Sequence, residues 1–348
     1  MMHTRAERKL LPYRQPARGA AARSASLNSR GKHIKTARSG MLHPTLLYSM
    51  SSNTRIITES MEQMLQWPGR CQMNVQELKK TANQVRKNII TEVYYAKAGH
   101  PGGSLSAAEI FTYLYMEEMN VDPARPDDPD RDRFVLSKGH TCPGLYGVMA
   151  EKGYFDREEC KTFRHLGSRL QGHPSMRFLP GIDMSTGSLG QGISCAVGMA
   201  LAAKVQKKDY RVYTLLGDGE IEEGQVWEAA MFAGAKKLDN LCVIVDNNGL
   251  QIDGNIADVN NPYPIDKKFE AFNFHVINVE DGHDFEQLAA AFAEARTVKD
   301  VPTAIICKTI KGKGVSFMEN VADWHGKAPN AQQYEIAMAD LERIGEAL

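Results

Sequence analysis

The chain has 348 residues, long enough to bury a substantial core, and its 43% hydrophobic and 24% charged residues are ordinary globular values. Its 42 basic and 42 acidic residues cancel, which argues against a dedicated nucleic-acid binder, and no apolar run approaches the roughly 18 residues that suggest a membrane span. The six cysteines (Cys71, Cys142, Cys160, Cys195, Cys242, Cys307) form no CxxC pair, a spacing that suits reduced thiols in a cytoplasmic enzyme or enzyme subunit.

Residues 1–72 hold twelve Lys/Arg against three acids (Glu7, Glu59, Glu62), so the remainder of the chain is acidic by the same margin. This Arg- and Ser-rich leader has no sustained hydrophobic period. It reads as a disordered tail, as a start assigned too far upstream of Met73, as an organelle transit peptide, or as a nucleic-acid contact. Residues 73–348 read as one domain.

Asn74–Ala98 is predicted to be a helix, with Val75, Leu78, Ala82, Val85, Ile89 and Val93 at three- and four-residue steps, Asn74 as N-cap and Gly99 as the stop. A second helix is expected over Ser106–Glu118, then a Pro/Asp loop over Asp122–Asp132. Strands are expected at Phe134–Leu136, Val212–Leu216, Leu241–Asp246, His275–Val279 and Ala304–Cys307, with helices near 143–152, 190–207, 223–237 and 284–297. Apolar strands separated by helices imply a three-layer α/β/α fold with a mainly parallel sheet buried on both faces.

Ligands of such folds bind at the carboxyl ends of the strands. There the sequence places Gly217-Asp218-Gly219-Glu220, then Asp246-Asn247-Asn248-Gly249-Leu250, then Lys308 through Gly314. Glycines let a backbone approach phosphate oxygens, and Asp218 is a hard oxygen ligand. Asn248, thirty residues on, and a main-chain carbonyl near Leu250 would complete the protein's share of a Mg²⁺ octahedron. Each segment alone is an ordinary Asp-Gly or Asn-Gly turn. Together, each after a strand, they point to a metal–diphosphate site. The dinucleotide fingerprint fails, because Glu222 stands where its third glycine belongs, and no Walker lysine motif is present.

The Gly217-Asp218-Gly219 to Asn248 block resembles the thiamine-diphosphate signature. Gly99-His100-Pro101-Gly102, Ser137-Lys138-Gly139-His140, Gly172-His173-Pro174, Gly187 through Gly192 and Trp324-His325-Gly326-Lys327 narrow the resemblance to transketolase, in family order from about residue 74 to 348. The similarity is to the amino-terminal half of a full-length enzyme, and so to the amino-terminal subunit of a two-polypeptide transketolase.

The resemblance implies thiamine diphosphate as cofactor, with Mg²⁺ or another divalent cation such as Ca²⁺ or Mn²⁺ on Asp218, Asn248 and the Leu250 carbonyl. It implies contact with the sugar by His100, His173 and His325, and with the cofactor by His140, Gly187, Ser188, Leu189, Asp218, Gly219, Asn248 and Lys311. A solvated basic loop shared with Lys308 and Lys313 is the alternative for Lys311. Glu223 and Glu228 match positions at the family's subunit interface, or are first-turn glutamates favoured by the helix dipole. The implied partner is a C-terminal subunit carrying the pyrimidine-binding domain, in an α2β2 assembly acting on sugar phosphates. Other readings are a subunit of a 2-oxo-acid dehydrogenase or of a deoxyxylulose-phosphate synthase, and a non-catalytic paralogue.

Overall fold

The computed structural model describes residues 73–348, and the leader lies outside them. The first helix, α1 (Val75–Ala96), starts where Asn74 and Glu77 each bond the other's backbone N–H, and Lys97 closes it with φ 51°. The stop therefore comes two residues before the expected Gly99. Leu78, Ala82, Val85, Ile89 and Val93 are buried on one face, as their spacing predicts.

The single helix expected over Ser106–Glu118 is instead two short helices and a wide turn: α2 (Pro101–Ser106), α3 (Ala108–Tyr113) and a π-type turn over Leu114–Glu118. Pro101 presets the first helical φ. Gly102 and Gly103, poor helix formers by propensity, are there for close approach. A Cβ at Gly102 would sit 2.8 Å from the Trp324 carbonyl oxygen.

The five expected strands all form, most of them a residue longer than predicted: β1 (Arg133–Leu136), β2 (Val212–Gly217), β3 (Leu241–Asn247), β6 (His275–Val279) and β7 (Thr303–Lys308). They make one parallel sheet in the order β1-β2-β3-β7-β6, with Leu136 opposite Leu215, Gly217 opposite Asp246 and Asn247 opposite Lys308. Helices α4 (Cys142–Lys152), α5 (Gly192–Gln206), α6 (Gly224–Ala235) and α9 (Phe285–Thr297) match expectation.

Both faces of the sheet are buried. On β3, Cys242 and Ile244 enter the core shared with α1 and α4, while Leu241, Val243 and Val245 enter the core shared with α5 and α6. This two-sided burial makes the strand continuously apolar rather than alternating. Four smaller elements were not anticipated: the hairpin β4 (Leu250–Gln251) and β5 (Gly254–Asn255), and the helices α7 (Ile256–Val259) and α8 (Ile265–Ala271). Nor was α10 (Ala331–Ala347), which is capped by Asn330 and Gln333 and bonded to α1 through Asn83 Nδ2 and the Leu341 carbonyl. Among the described residues no helix is long and apolar enough to cross a membrane.

Candidate active site

The carboxyl ends of β1, β2, β3 and β7 surround a cleft of about 500 Å³. It brings together His100, His140, Leu189, Asp218, Gly219, Glu223, Asn248, Leu250, Lys311 and His325. His173, Gly187, Ser188 and Glu228 do not line it. His173 and Gly187 pack against each other, since a Cβ at Gly187 would meet the His173 ring at 3.5 Å. Glu223 is the exposed N-cap of α6, and Glu228 lies exposed beyond that helix's first turn, so the dipole alternative does not describe Glu228.

Asp218 is 2% exposed, at the point where β2 gives way to its glycine turn. One carboxylate oxygen accepts from the Gly219 N–H at 2.9 Å and the other from the Gly249 N–H at 2.5 Å. Burial, with the neighbouring Asp246 carboxylate, pushes its pKa up to about 7. The Asn248 carboxamide oxygen accepts from the Leu250 N–H at 3.1 Å, and the Leu250 carbonyl accepts from Lys311 Nζ at 2.8 Å. A carbonyl oxygen has two lone pairs, so each of these oxygens keeps acceptor capacity. One carboxylate, one amide oxygen and one main-chain carbonyl form an all-oxygen set that suits a hard divalent cation. Among the described residues no cluster of three His, Cys, Asp or Glu side chains competes with it.

Three histidine rings crowd the opposite wall. His140 stacks on His325 with centroids 5.1 Å apart, and His100 meets both edge-on at 5.1 and 5.5 Å. Burial, reinforced by Arg164, His173 and Lys311, lowers the His100 pKa to about 4. Burial and the Lys311 ammonium lower that of His325 to about 3, and burial holds His140 well below its usual range. Burial, then Arg164, also lowers His173. All four are neutral imidazoles near pH 7. Lys311 Nζ donates to His325 Nδ1 at 3.0 Å. An ammonium only donates, so Nδ1 carries the lone pair and His325 Nε2 carries the proton. His100 Nδ1 is buried with no protein partner, which makes it an orphan polar atom at the cleft wall.

Lys311 is only 1% exposed, which settles its alternative: it is not part of a solvated basic loop. Burial brings its amine down to about 8.

Three further residues shape the site that sequence reasoning left without a role. Lys138 (2% exposed) and Asp246 (0%) form a buried ion pair across the ends of β1 and β3. Asp246 also accepts from Ser106, Thr309 and the Asn248 carboxamide. Burial alone would raise Asp246, but Lys138 and these donors hold it below the usual carboxylate range. Glu220 accepts from the Gly190 N–H, the Gly217 N–H and the Ser137 hydroxyl at 3.0, 3.1 and 2.5 Å, tying three loops together. Burial raises its pKa to about 7. The available signal was a charged residue directly at a strand's carboxyl end, where a buried sheet gives it no water.

The family model described as "Transketolase, thiamine diphosphate binding domain" matches residues 77–341. The chain is 44% identical over 269 residues to the 6-deoxy-6-sulfo-D-fructose transketolase subunit SqwG of Clostridium sp. (strain MSTE9), covering 77% of this chain and 98% of that protein. It is 43% identical to an apulose-4-phosphate transketolase subunit of Phocaeicola vulgatus, covering 78% and 96%. Against human transketolase it is 46% identical over 264 residues, covering 74% of this chain and 40% of that one. The crystal structure of transketolase from Campylobacter jejuni superposes with a TM-score of 0.73 at 34% identity, over 78% of this chain and 43% of that one. The chain thus spans about two fifths of the transketolases it matches and nearly the whole of the two transketolase subunits.

Proposed function

This chain belongs to the transketolase family, and from that premise we propose that it is the diphosphate-binding subunit of a two-polypeptide transketolase. With a partner supplying the pyrimidine-binding domain, in an α2β2 assembly, it transfers a two-carbon ketol unit from a ketose phosphate to an aldose phosphate. The two transketolase subunits it resembles support this reading, since it aligns with almost their full length. Unpaired cysteines at all five described positions suit a reducing cytoplasm.

The observation that carries the proposal is the meeting of two kinds of chemistry in one cleft. Asp218, Asn248 and Leu250 offer hard oxygens beside the Gly217 and Gly219 backbone, while His100, His140, His325 and Lys311 face them. These residues fit thiamine diphosphate held through Mg²⁺, with Ca²⁺ or Mn²⁺ as substitutes. When bound, the cofactor supplies the carbanion that makes and breaks the carbon–carbon bond.

The chain's own residues bind, orient and move protons. Asp218, Asn248 and the Leu250 carbonyl would hold the cation, and His140 and Leu189, which line the cleft, would contact the cofactor. His325 Nε2–H donates to a sugar carbonyl or hydroxyl oxygen, with its tautomer set by Lys311. His100, whose Nδ1 lacks a protein partner, takes the neighbouring hydroxyl. Because burial keeps both rings neutral, each meets a sugar oxygen as a hydrogen-bonding imidazole and not as a fixed positive charge. His173 and the Gly187-Ser188 backbone sit beyond the cleft lining, where His173 would meet the sugar hydroxyls and Gly187 and Ser188 the cofactor. Exposed Glu223 and Glu228, with exposed Met231 and Phe232 on the same helix, suit an interface with a second copy.

A coupled ketol-transfer assay tests the proposal, using the full chain with Mg²⁺ and thiamine diphosphate, alone and with a candidate pyrimidine-domain subunit. Ketose donors should include ordinary pentose phosphates and branched or deoxy sugar phosphates. Activity only in the mixture is the expected result. Activity of the chain alone, or turnover of 2-oxo acids in place of ketoses, would overturn it.

A further inference from the structure

Resting on that reading, we propose that Arg86, Glu109 and His283 are positioning residues, a buried relay that holds the Thr309–Gly314 loop so that Lys311 reaches the cleft. None of the three lines the cleft, and their side chains are only 7%, 9% and 9% exposed.

The relay runs from α1 through α3 to the loop. Arg86 Nη2 donates to Glu109 Oε2 at 2.6 Å, and that same oxygen faces His283 Nδ1 at 2.9 Å. The Ile310 N–H donates to His283 Nε2 at 2.9 Å. Nε2 therefore carries the lone pair, and Nδ1 carries the proton that goes to Glu109. Arg86 has a second arm, because its Nε donates to the Lys313 carbonyl at 3.0 Å. Both ends of the relay thus terminate on the backbone of one short loop, at the residue before Lys311 and two residues after it. Burial alone would raise the Glu109 carboxyl, but Arg86 and then His283 outweigh it and bring it down to about 2.

The chemistry explains why such a costly group is kept. The loop forms no strand or helix of its own, and its amides are satisfied one by one: the Thr309 N–H by the Asn247 carbonyl at 3.1 Å, the Gly312 N–H by the Gly102 carbonyl at 3.0 Å, and the Ile310 N–H by His283 alone. Gly312 must approach closely, since a Cβ there would sit 2.3 Å from the Met318 carbonyl oxygen. Removing one member of the relay leaves an uncompensated buried charge or a dry amide. The loop then loses the fixed backbone from which Lys311 reaches both the Leu250 carbonyl and His325.

Backbone hydrogen–deuterium exchange on the full chain, comparing His283→Phe with His283→Gln, tests this. Phe keeps the ring's volume without an acceptor; Gln gives up the ring but offers an oxygen to the Ile310 N–H. We expect Phe to speed exchange over residues 309–314 about tenfold or more, and Gln to recover most of the protection, with β3 unchanged in both. Protection in the Phe variant equal to the native chain would show that volume suffices and overturn the proposal. Acceleration spreading equally into β3 would reduce the relay to general core stability, and would overturn it too. If the Phe variant does not fold, Arg86→Lys keeps the charge beside Glu109 but withdraws the bond to Lys313. Unchanged exchange over 309–314 in that variant also refutes the relay. A parallel titration with Mg²⁺ and thiamine diphosphate, with a candidate pyrimidine-domain subunit present and read by tryptophan fluorescence, separates the two ideas. Failure of the native pair to bind would sink the proposed function and leave the exchange result standing.

Discussion

Replacing Asp246 by Asn should destabilise the chain more than any other isosteric change at the site. The carboxylate is fully buried and receives the Lys138 ammonium, the Ser106 and Thr309 hydroxyls and the Asn248 carboxamide. An amide of the same shape keeps one acceptor oxygen for Lys138, Ser106 and Asn248 but turns two hydrogens toward Thr309, so the ammonium keeps a neutral acceptor and the Gly103 carbonyl at 3.2 Å and loses its counter-charge. Breaking a buried ion pair from one side typically costs about 3–5 kcal/mol. At about 2.1 cal/mol/K of unfolding entropy per residue, residues 73–348 convert 1 kcal/mol into roughly 1.5–2 °C, so the melting temperature should fall by roughly 4–10 °C. Thermal and urea unfolding of the full chain would measure it.

The double variant Asp246→Leu with Lys138→Met separates charge from packing. Replacing both partners by apolar groups is often neutral or better, so stability should return most of the way. Cofactor affinity should not return, because the Asn248 carboxamide has lost its orienting acceptor in the double variant. A single variant losing under about 1 kcal/mol would show the pair to be effectively solvated, since exposed pairs are worth no more than that. Additive losses in the double variant would refute the coupling.

Three more outcomes are expected. His100 and His325 have pKa values of about 4 and about 3 against 6.5 in the unfolded chain, so their share of stability is complete above pH 6.5 and is lost as pH falls toward the folded values. Asp218 and Glu220, both raised to about 7, act in the opposite sense over part of that range, so the comparison to make is with His325→Gln, whose melting temperature should decline less steeply between pH 6.5 and 4.5. Gly192→Ala should lower the urea midpoint by an amount equivalent to about 1–3 kcal/mol, because its Cβ would lie 2.5 Å from Ser137 Cα, a backbone atom that cannot swing aside. Chelation by EDTA should strip bound cofactor, and reloading at about 100 times Kd should restore about 2.7 kcal/mol, read as a rise in melting temperature.

The site was legible in the sequence to the extent that its chemistry sits on short, contiguous turns. Asp218, Asn248 and the Gly-His-Pro and Lys-Gly-His turns each announce themselves locally, and His100, His140, Lys311 and His325 line one cleft with Asp218 and Asn248. His173, Gly187, Ser188 and Glu228 stand outside its lining in this chain taken singly.

Where the reading fell short, local preference and tertiary demand disagree. The helix expected to begin at Ser106 left out Gly102 and Gly103, yet both lie in α2, where the Trp324 carbonyl and Thr141 leave no room for a Cβ. The α10 helix was missed although its Asn330–Gln333 cap is visible in hindsight, because it carries few buried residues beyond Ala337 and Leu341.

The sequence by itself determined the parallel sheet, its helices and the loops that carry the chemistry, because burial on two faces and on one helical stripe imposes periods that can be read without a partner. Only the tertiary structure decided which charges meet. Lys138 and Asp246 lie 108 residues apart, and His283 and Glu109 lie 174 apart. A charged residue's local pattern is the same whether it faces water or a buried counter-ion. The packing of the sheet's carboxyl edge excludes the water, and that exclusion turns Lys138, Asp246, Glu109 and His283 into parts of the site's frame.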